Sequence, residues 1–280
     1  MQIVRFNALL GIVLLLMISF IFIDCQKVIN MNLVEAPPQL VIEGLITDSV
    51  GPYKVKISKS GSYFNQPVLP AVKGALVVIS DNTGTVDTLK ETQPGTYLTS
   101  KLQGVPGRTY NLMVLAEKNI YTGSSTMFNH VEIDSLKLEK AQYSGFGLGG
   151  NHQNDLDIHC IFKDPNDKNF YRIKVYTNDT TNVGNYKLYD DQYTNNEKTD
   201  LQVRRAVVGD TSMVELISLD QNTYEYYRMV RDLLRSNPIF GSTPVNPNTN
   251  LTNGALGYFG ACAISAKTIV ITESLYNSVK

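Results

Sequence analysis

The sequence predicts a mainly β protein. Two β-sandwich-type units, the first immunoglobulin-like or transthyretin-like, follow an N-terminal signal, with one helix near the C-terminus. Three observations carry this reading. Charged residues are only 18% of the 280, and Asn (24), Thr (22) and Tyr (16) fill the polar positions. Thr and Tyr suit a pleated surface better than a helix. From residue 39 onward, short runs alternate apolar with polar and are separated by Gly, Pro and Asn turn signals. Finally, one apolar stretch, broken only by Gly11 and Ser19, stands apart at the N-terminus, Ala8 to Ile23.

That stretch comes first in the chain. Arg5 is the only charge before Asp24, so a positive n-region precedes an apolar h-region, the pattern of a secretory signal. Cys25 stands at its exit, as in a bacterial lipoprotein signal. Residues 1–24 are then the signal peptide and Cys25 the lipidated first residue of the mature chain. Each buried acyl CH₂ contributes about 0.8 kcal/mol to membrane attachment. Ile23 and Asp24 stand where such signals usually carry small residues, which leaves an uncleaved signal anchor as the alternative. Both readings place the chain from about residue 26 outside the inner membrane. Residues 25–38 form a tether, kept extended at Pro37-Pro38.

The first sandwich is expected over 39–130. Strand-like runs fall at 39–47, 53–60, 75–81, 85–92, 95–100 and 109–116, with turns at 49–52, 81–84, 93–95 and 105–107. In the second run Tyr53, Val55 and Ile57 share one face and Lys54, Lys56 and Ser58 the other, a half-buried antiparallel strand.

The second unit is expected over 131–280. Strands are predicted at 131–144, at 155–162 (Leu156, Ile158, Cys160 and Phe162 inward) and at 169–178. A polar loop or weak hairpin is expected at 178–200, and further strands at 206–210 and 212–220. Asp220 is the expected N-cap of a helix over 221–236. Its apolar stripe is Tyr224, Tyr227, Val230 and Leu234, and Asn237-Pro238 stops it. The apolar run 254–272 reads as a buried strand closing this unit.

Three stretches, EGLITDSVGPYKVKISKSGSYF, GALVVISDNTG with its continuation through LQGVPGRTYNLMV, and NGALGYFGACAIS, resemble the domain-of-unknown-function 4249 (DUF4249) family across essentially the whole mature chain. The resemblance implies a lipoprotein of the Bacteroidota-type cell envelope, encoded near TonB-dependent outer-membrane receptors. It carries no established activity and transfers no catalytic residue.

The near-balance of 25 Lys+Arg against 26 Asp+Glu excludes the basic excess with which nucleic-acid binders neutralise phosphates. Gly145, Gly147 and Gly150 have dinucleotide-fingerprint spacing, but a polar segment and a strand follow where a helix N-terminus must receive the pyrophosphate. His152, Asp155, Asp157 and His159 are the densest group of metal-ligand types, yet they read as the solvent face of a strand. Asp164, Asn166 and Asp167 read as a turn. No nucleophile motif appears, so no catalytic residue, cofactor or metal is assigned. Cys160 and Cys262 fall on apolar faces, as two separate core thiols or, if their strands are neighbours, a disulfide. Arg204-Arg205 and Arg228, Arg231 and Arg235 read as solvated basic clusters. Among the tyrosines, Tyr186, Tyr189 and Tyr193 are the ligand- or partner-binding candidates, because Tyr offers large contact area at low entropy cost; the helical tyrosines read as core.

The expected function is therefore a non-enzymatic, membrane-tethered envelope lipoprotein that binds a ligand or partner, accessory to a TonB-dependent receptor. A structural surface or adhesin-type protein and a hydrolase on a β scaffold are the alternatives.

Overall fold

The computed structural model describes residues 37–61, 69–141, 155–178, 186–191, 197–235 and 245–279. The signal, Cys25, most of the tether, the Gly145–Gly150 run, His152 and Tyr193 lie outside the described residues.

Strands β1 (Leu40–Thr47), β2 (Lys54–Lys59), β3 (Leu76–Asp81), β4 (Val86–Thr88), β5 (Lys90–Gln93), β6 (Thr96–Leu98), β7 (Thr109–Ala116) and β8 (Asn119–Thr126) come first. Then follow β9 (Ile133–Lys140), β10 (Leu156–Lys163), β11 (Phe170–Thr177), β12 (Tyr186–Asp190), β13 (Lys198–Ala206) and β14 (Thr211–Leu219). Helix α1 (Gln221–Arg235), strand β15 (Leu256–Val270) and the short helix α2 (Glu273–Ser278) end the chain.

They form an eight-stranded sheet, β12-β11-β14-β15-β1-β2-β6-β5, and two smaller sheets, β4-β3-β7-β8 and β13-β10-β9. β15 joins the large sheet. Leu256 to Cys262 pair in parallel with β1, and Ala263 to Val270 pair antiparallel with β14. The alternation of its side chains then dictates two faces. Phe259, Ala261 and Ala263 join Ile42, Ile57, Tyr97, Leu112 and Val114 in one buried cluster under the four-stranded sheet. On the same face, Tyr171, Ile173, Val214 and Leu216 pack with Ile158, Cys160 and Phe162 under the three-stranded sheet. These are two sandwich layers laid along one sheet. The opposite face bears Leu45, Phe170, Ile217 and Cys262, covered by Tyr224 and Tyr227 of α1.

Several elements differ from the sequence expectation. The 85–92 run is two strands. β4 pairs with β3 and β5 with β6, so the chain changes sheets at buried Leu89, whose N–H bonds to the Val77 carbonyl at 2.9 Å. β8 was not anticipated, being small and polar (NIYTGSST). It pairs with β7 through a hairpin at Glu117 and Lys118, both at positive φ (48° and 67°). The polar 178–200 stretch contains β12 and the start of β13. Residues 207–210 are not a strand but the turn into β14, closed by the Asp210 N–H on the Val207 carbonyl at 3.1 Å. Helix α2 is capped by Thr272, whose hydroxyl accepts from the Leu275 N–H at 3.2 Å. The closing strand does more than close the second unit, since its first half is the parallel neighbour of β1.

The disulfide between Cys160 and Cys262 does not form. Both are free, buried thiols. Cys160 lies in the cluster under the three-stranded sheet and Cys262 on the α1 side of the large sheet, so sheet β11-β14-β15 separates them. Burial pushes both thiols up to about 12, which makes them inert.

Candidate functional site

Helix α1 begins where the sequence places it. The Asp220 carboxylate accepts the Thr223 N–H at 2.7 Å, and the Ser125 hydroxyl bonds the other carboxylate oxygen. Ser125 also accepts the Ala261 N–H at 2.9 Å, which ties the cap to β15. The Thr223 hydroxyl reaches the Tyr258 phenol at 3.3 Å. The helix is thus pinned at its N-terminus over the outer face of the large sheet. Tyr224 is buried against Phe170, with ring centroids 5.1 Å apart. Farther along, the stripe leaves the sheet surface, and Leu234 is 68% exposed.

Between the far half of α1 and the sheet lies a groove of about 680 Å³. Its helix wall is Tyr226, Tyr227, Val230 and Leu234. Its floor is built by strand alternation. Arg172, Lys174 and Tyr176 of β11 come up on the same face as Tyr186 of β12, Tyr258 of β15 and Leu45 of β1. Lys54 and Lys56 of β2 stand at the far side, opposite Leu45 and Glu43 in register. Among the described residues, four cations and one carboxylate, Glu43, therefore line it.

Arg172 is the unusual member. It is 4% exposed, and its Nε has no hydrogen-bond partner among the described residues. Its guanidinium lies over the Tyr227 ring at 3.9 Å and 5.8 Å from that of Tyr186, well within cation–π range. Tyr186 holds the helix by donating to the Tyr227 carbonyl at 2.8 Å. Burial, and then the neighbouring Arg172 charge, hold the Lys174 amine below the usual lysine range. Burial raises the Tyr186 and Tyr258 phenols and pushes Tyr226 up to about 12, so the tyrosines remain neutral donors. Tyr226 and Tyr258 stack at 4.7 Å and extend the aromatic wall.

The three tyrosines singled out from sequence separate. Tyr186 lines the groove. Tyr189 turns to the other face and packs on Phe162 and Tyr171, at 6.4 and 6.2 Å between centroids. Tyr193 lies outside the described residues. Tyr226 and Tyr227, read from sequence as core, line the groove, Tyr227 while also packing on the buried cluster beneath α1, and Arg172, Lys174 and Tyr258 join them without having been singled out. One signal was available: NFYRIKVYTN alternates two cations with aromatics on the face opposite Tyr171 and Ile173. A helix that must bury its own stripe needs such a second face.

The remaining candidates are accounted for locally. Asp157 faces Arg205 at 3.4 Å rather than joining His159. His159 bonds Asp200 at 2.6 Å and lies 3.7 Å from Glu139, a cross-strand trio on the exposed side of the three-stranded sheet. Arg228 pairs with Glu225 at 2.7 Å, and Arg231 meets Asp232 at 3.4 Å. A second depression beside edge strand β9 has no buried charge among its described lining residues.

A family model described as Domain of unknown function (DUF4249) matches residues 26–268. Among solved structures, the chain is similar to a two fibronectin type-III domain segment from chicken tenascin. The identity is 13%, the match covers 65% of this chain and 91% of that one, and the TM-score is 0.21. No curated protein matches the chain.

Proposed function

The chain belongs to the DUF4249 family, and from that premise we propose that it is a non-enzymatic binding lipoprotein of the cell envelope. Cys25 carries the acyl chains that hold it at the outer membrane. The folded part presents the groove beneath α1 to a ligand or partner, in a role accessory to a TonB-dependent receptor. The observation that carries this reading is the groove itself. A concave, aromatic-walled site with a few convergent polar groups is the usual form of a ligand site, and burying an unpaired arginine in one costs stability that a purely structural surface has no reason to spend. The anchor is supported by the Ala8–Ile23 apolar run ending at Asp24-Cys25.

Metabolic labelling with a palmitate analogue tests the anchor. Cys25→Ala should lose both the label and the membrane fraction; an unchanged label and fraction sink the lipoprotein reading. Affinity purification from native membranes tests the partner. Recovery of an outer-membrane receptor is expected, and an unaccompanied monomer counts against the accessory role.

A further inference from the structure

Resting on the reading of the groove as a ligand site, we infer that it selects a small organic anion: a carboxylate or phosphate head held at Arg172 and Lys174, and an apolar body against the wall of α1. The head follows from Arg172. A buried guanidinium is ordinarily paired, because an uncompensated charge away from water is unfavourable. Here one face of its plane is taken by Tyr227 at 3.9 Å. That stacking leaves the edge of the fork as the part that can bond where Arg172 lines the groove, while its Nε is sealed from solvent without a partner among the described residues. The edge of a planar fork matches the two oxygens of an oxyanion. The arginines of α1 differ, since Arg228 and Arg231 lie beside carboxylates of their own helix.

Lys174 comes up on the same strand face two residues on, so two cations sit together on the floor. The acid nearest in register, Glu215 of β14, is engaged by the Tyr176 hydroxyl at 3.0 Å. Glu43 is the single acid among the described residues of the wall. An entering anion relieves the repulsion between the two cations.

The body follows from the rest of the wall. Val230 and Leu234 are apolar, and the stacked Tyr226–Tyr258 pair offers a flat surface. The volume of about 680 Å³ lies inside the range of about 300–1,000 Å³ that small-molecule pockets occupy. A bare inorganic ion would leave most of that wall unused.

Calorimetry on the full chain in lipid nanodiscs, against empty nanodiscs, tests this. The probes are 4-phenylbutyrate, 4-phenylbutyl phosphate, 4-phenylbutanol and inorganic phosphate. At least one of the two organic anions should bind ten-fold or more tighter than both the alcohol and inorganic phosphate. The arm that wins tells carboxylate from phosphate ester. Arg172→Gln should bring the anion to the affinity of the alcohol, and Lys174→Met should weaken it several-fold. Thermal unfolding checks that each variant folds, and the lysine variant keeps the test alive if Arg172→Gln does not. Equal binding of anion and alcohol overturns the anionic head while leaving the groove reading intact. Inorganic phosphate binding as tightly as the organic anions overturns the apolar body. No binding by any probe overturns both this inference and the groove reading.

Discussion

Arg172 is not the only buried polar group whose partners look incomplete. Asp164 and Asp191 are both fully buried. Asp164 accepts the Tyr171 hydroxyl at 2.6 Å, and Asp191 accepts the Asn169 N–H at 2.7 Å. The second oxygen of each, Asp164 Oδ2 and Asp191 Oδ1, has no partner among the described residues. Burial raises the Asp164 carboxyl, the Tyr171 bond opposes that, and the Asp191 charge adds to it. A proton on Asp164 supplies the donor that this pair lacks. With its folded pKa above the unfolded value of about 3.9, Asp164 contributes stability that is full below the unfolded pKa. That contribution is lost as pH rises through the folded value. Asp164→Asn mimics the protonated acid at every pH. The variant should therefore gain on the wild type at pH 7, by about 1.4 kcal/mol for each tenfold by which folding weakens the acid, and show little gain at pH 4. Thermal unfolding at the two pH values measures this; a variant less stable than wild type at pH 7 refutes it. The sequence marked Asp164 only as a turn residue, because its neighbour Asp191 arrives from 27 positions away.

At the scale of elements, the most legible pieces were those whose periodicity and end signals agree. Helix α1 has an N-cap, an apolar stripe and a proline stop within one stretch of sequence, and it spans Gln221–Arg235 as the pattern requires. β8 was missed because Gly123, Ser124 and Ser125 interrupt its pattern, and the stretch holding β12 was left between a loop and a weak hairpin; pairing with β7 and β11 fixes both strands. β15 shows how one residue can decide an element. Gly257 sits at φ 90° opposite Ile42 in the parallel ladder. A Cβ there would collide with the Ile42 carbonyl. Gly257→Ala should therefore cost roughly 1–3 kcal/mol from the backbone conformation alone. Forcing β1 and β15 apart adds to that. Chemical denaturation checks it, and a loss under about 0.5 kcal/mol, ordinary for a surface change, would mean the ladder accommodates the methyl group.

For the whole molecule, β15 is the shared element. Phe259, Ala261 and Ala263 are buried in the cluster under the four-stranded sheet, and residues from Ala263 onward pair with β14. A chain ending at Asn253 should lose solubility and amide-exchange protection throughout 39–253, not only beyond residue 131. Retained protection in β2, β3 and β7 of the truncated chain would show that the first layer stands without the closing strand. Among the described residues no helix is long and apolar enough to cross a membrane.

By itself the sequence determined the β class, the inward faces of most strands, helix α1 and its cap, and the low share of charged residues. Each is a local property: alternation, turn residues and capping act within about ten positions. The tertiary structure decided what the outward faces do. Arg172, Lys174 and Tyr176 alternate outward on β11, which from sequence alone means solvent. They become the floor of a groove because α1, starting 49 residues after Arg172, folds back over them, and β1 and β2 reach the same face through β15. Alternation specifies which side chains share a face but not what covers that face. Covering is a long-range choice set by sheet order, and it separated Cys160 from Cys262, whereas alternation within β12 alone puts Tyr186 and Tyr189 on opposite faces.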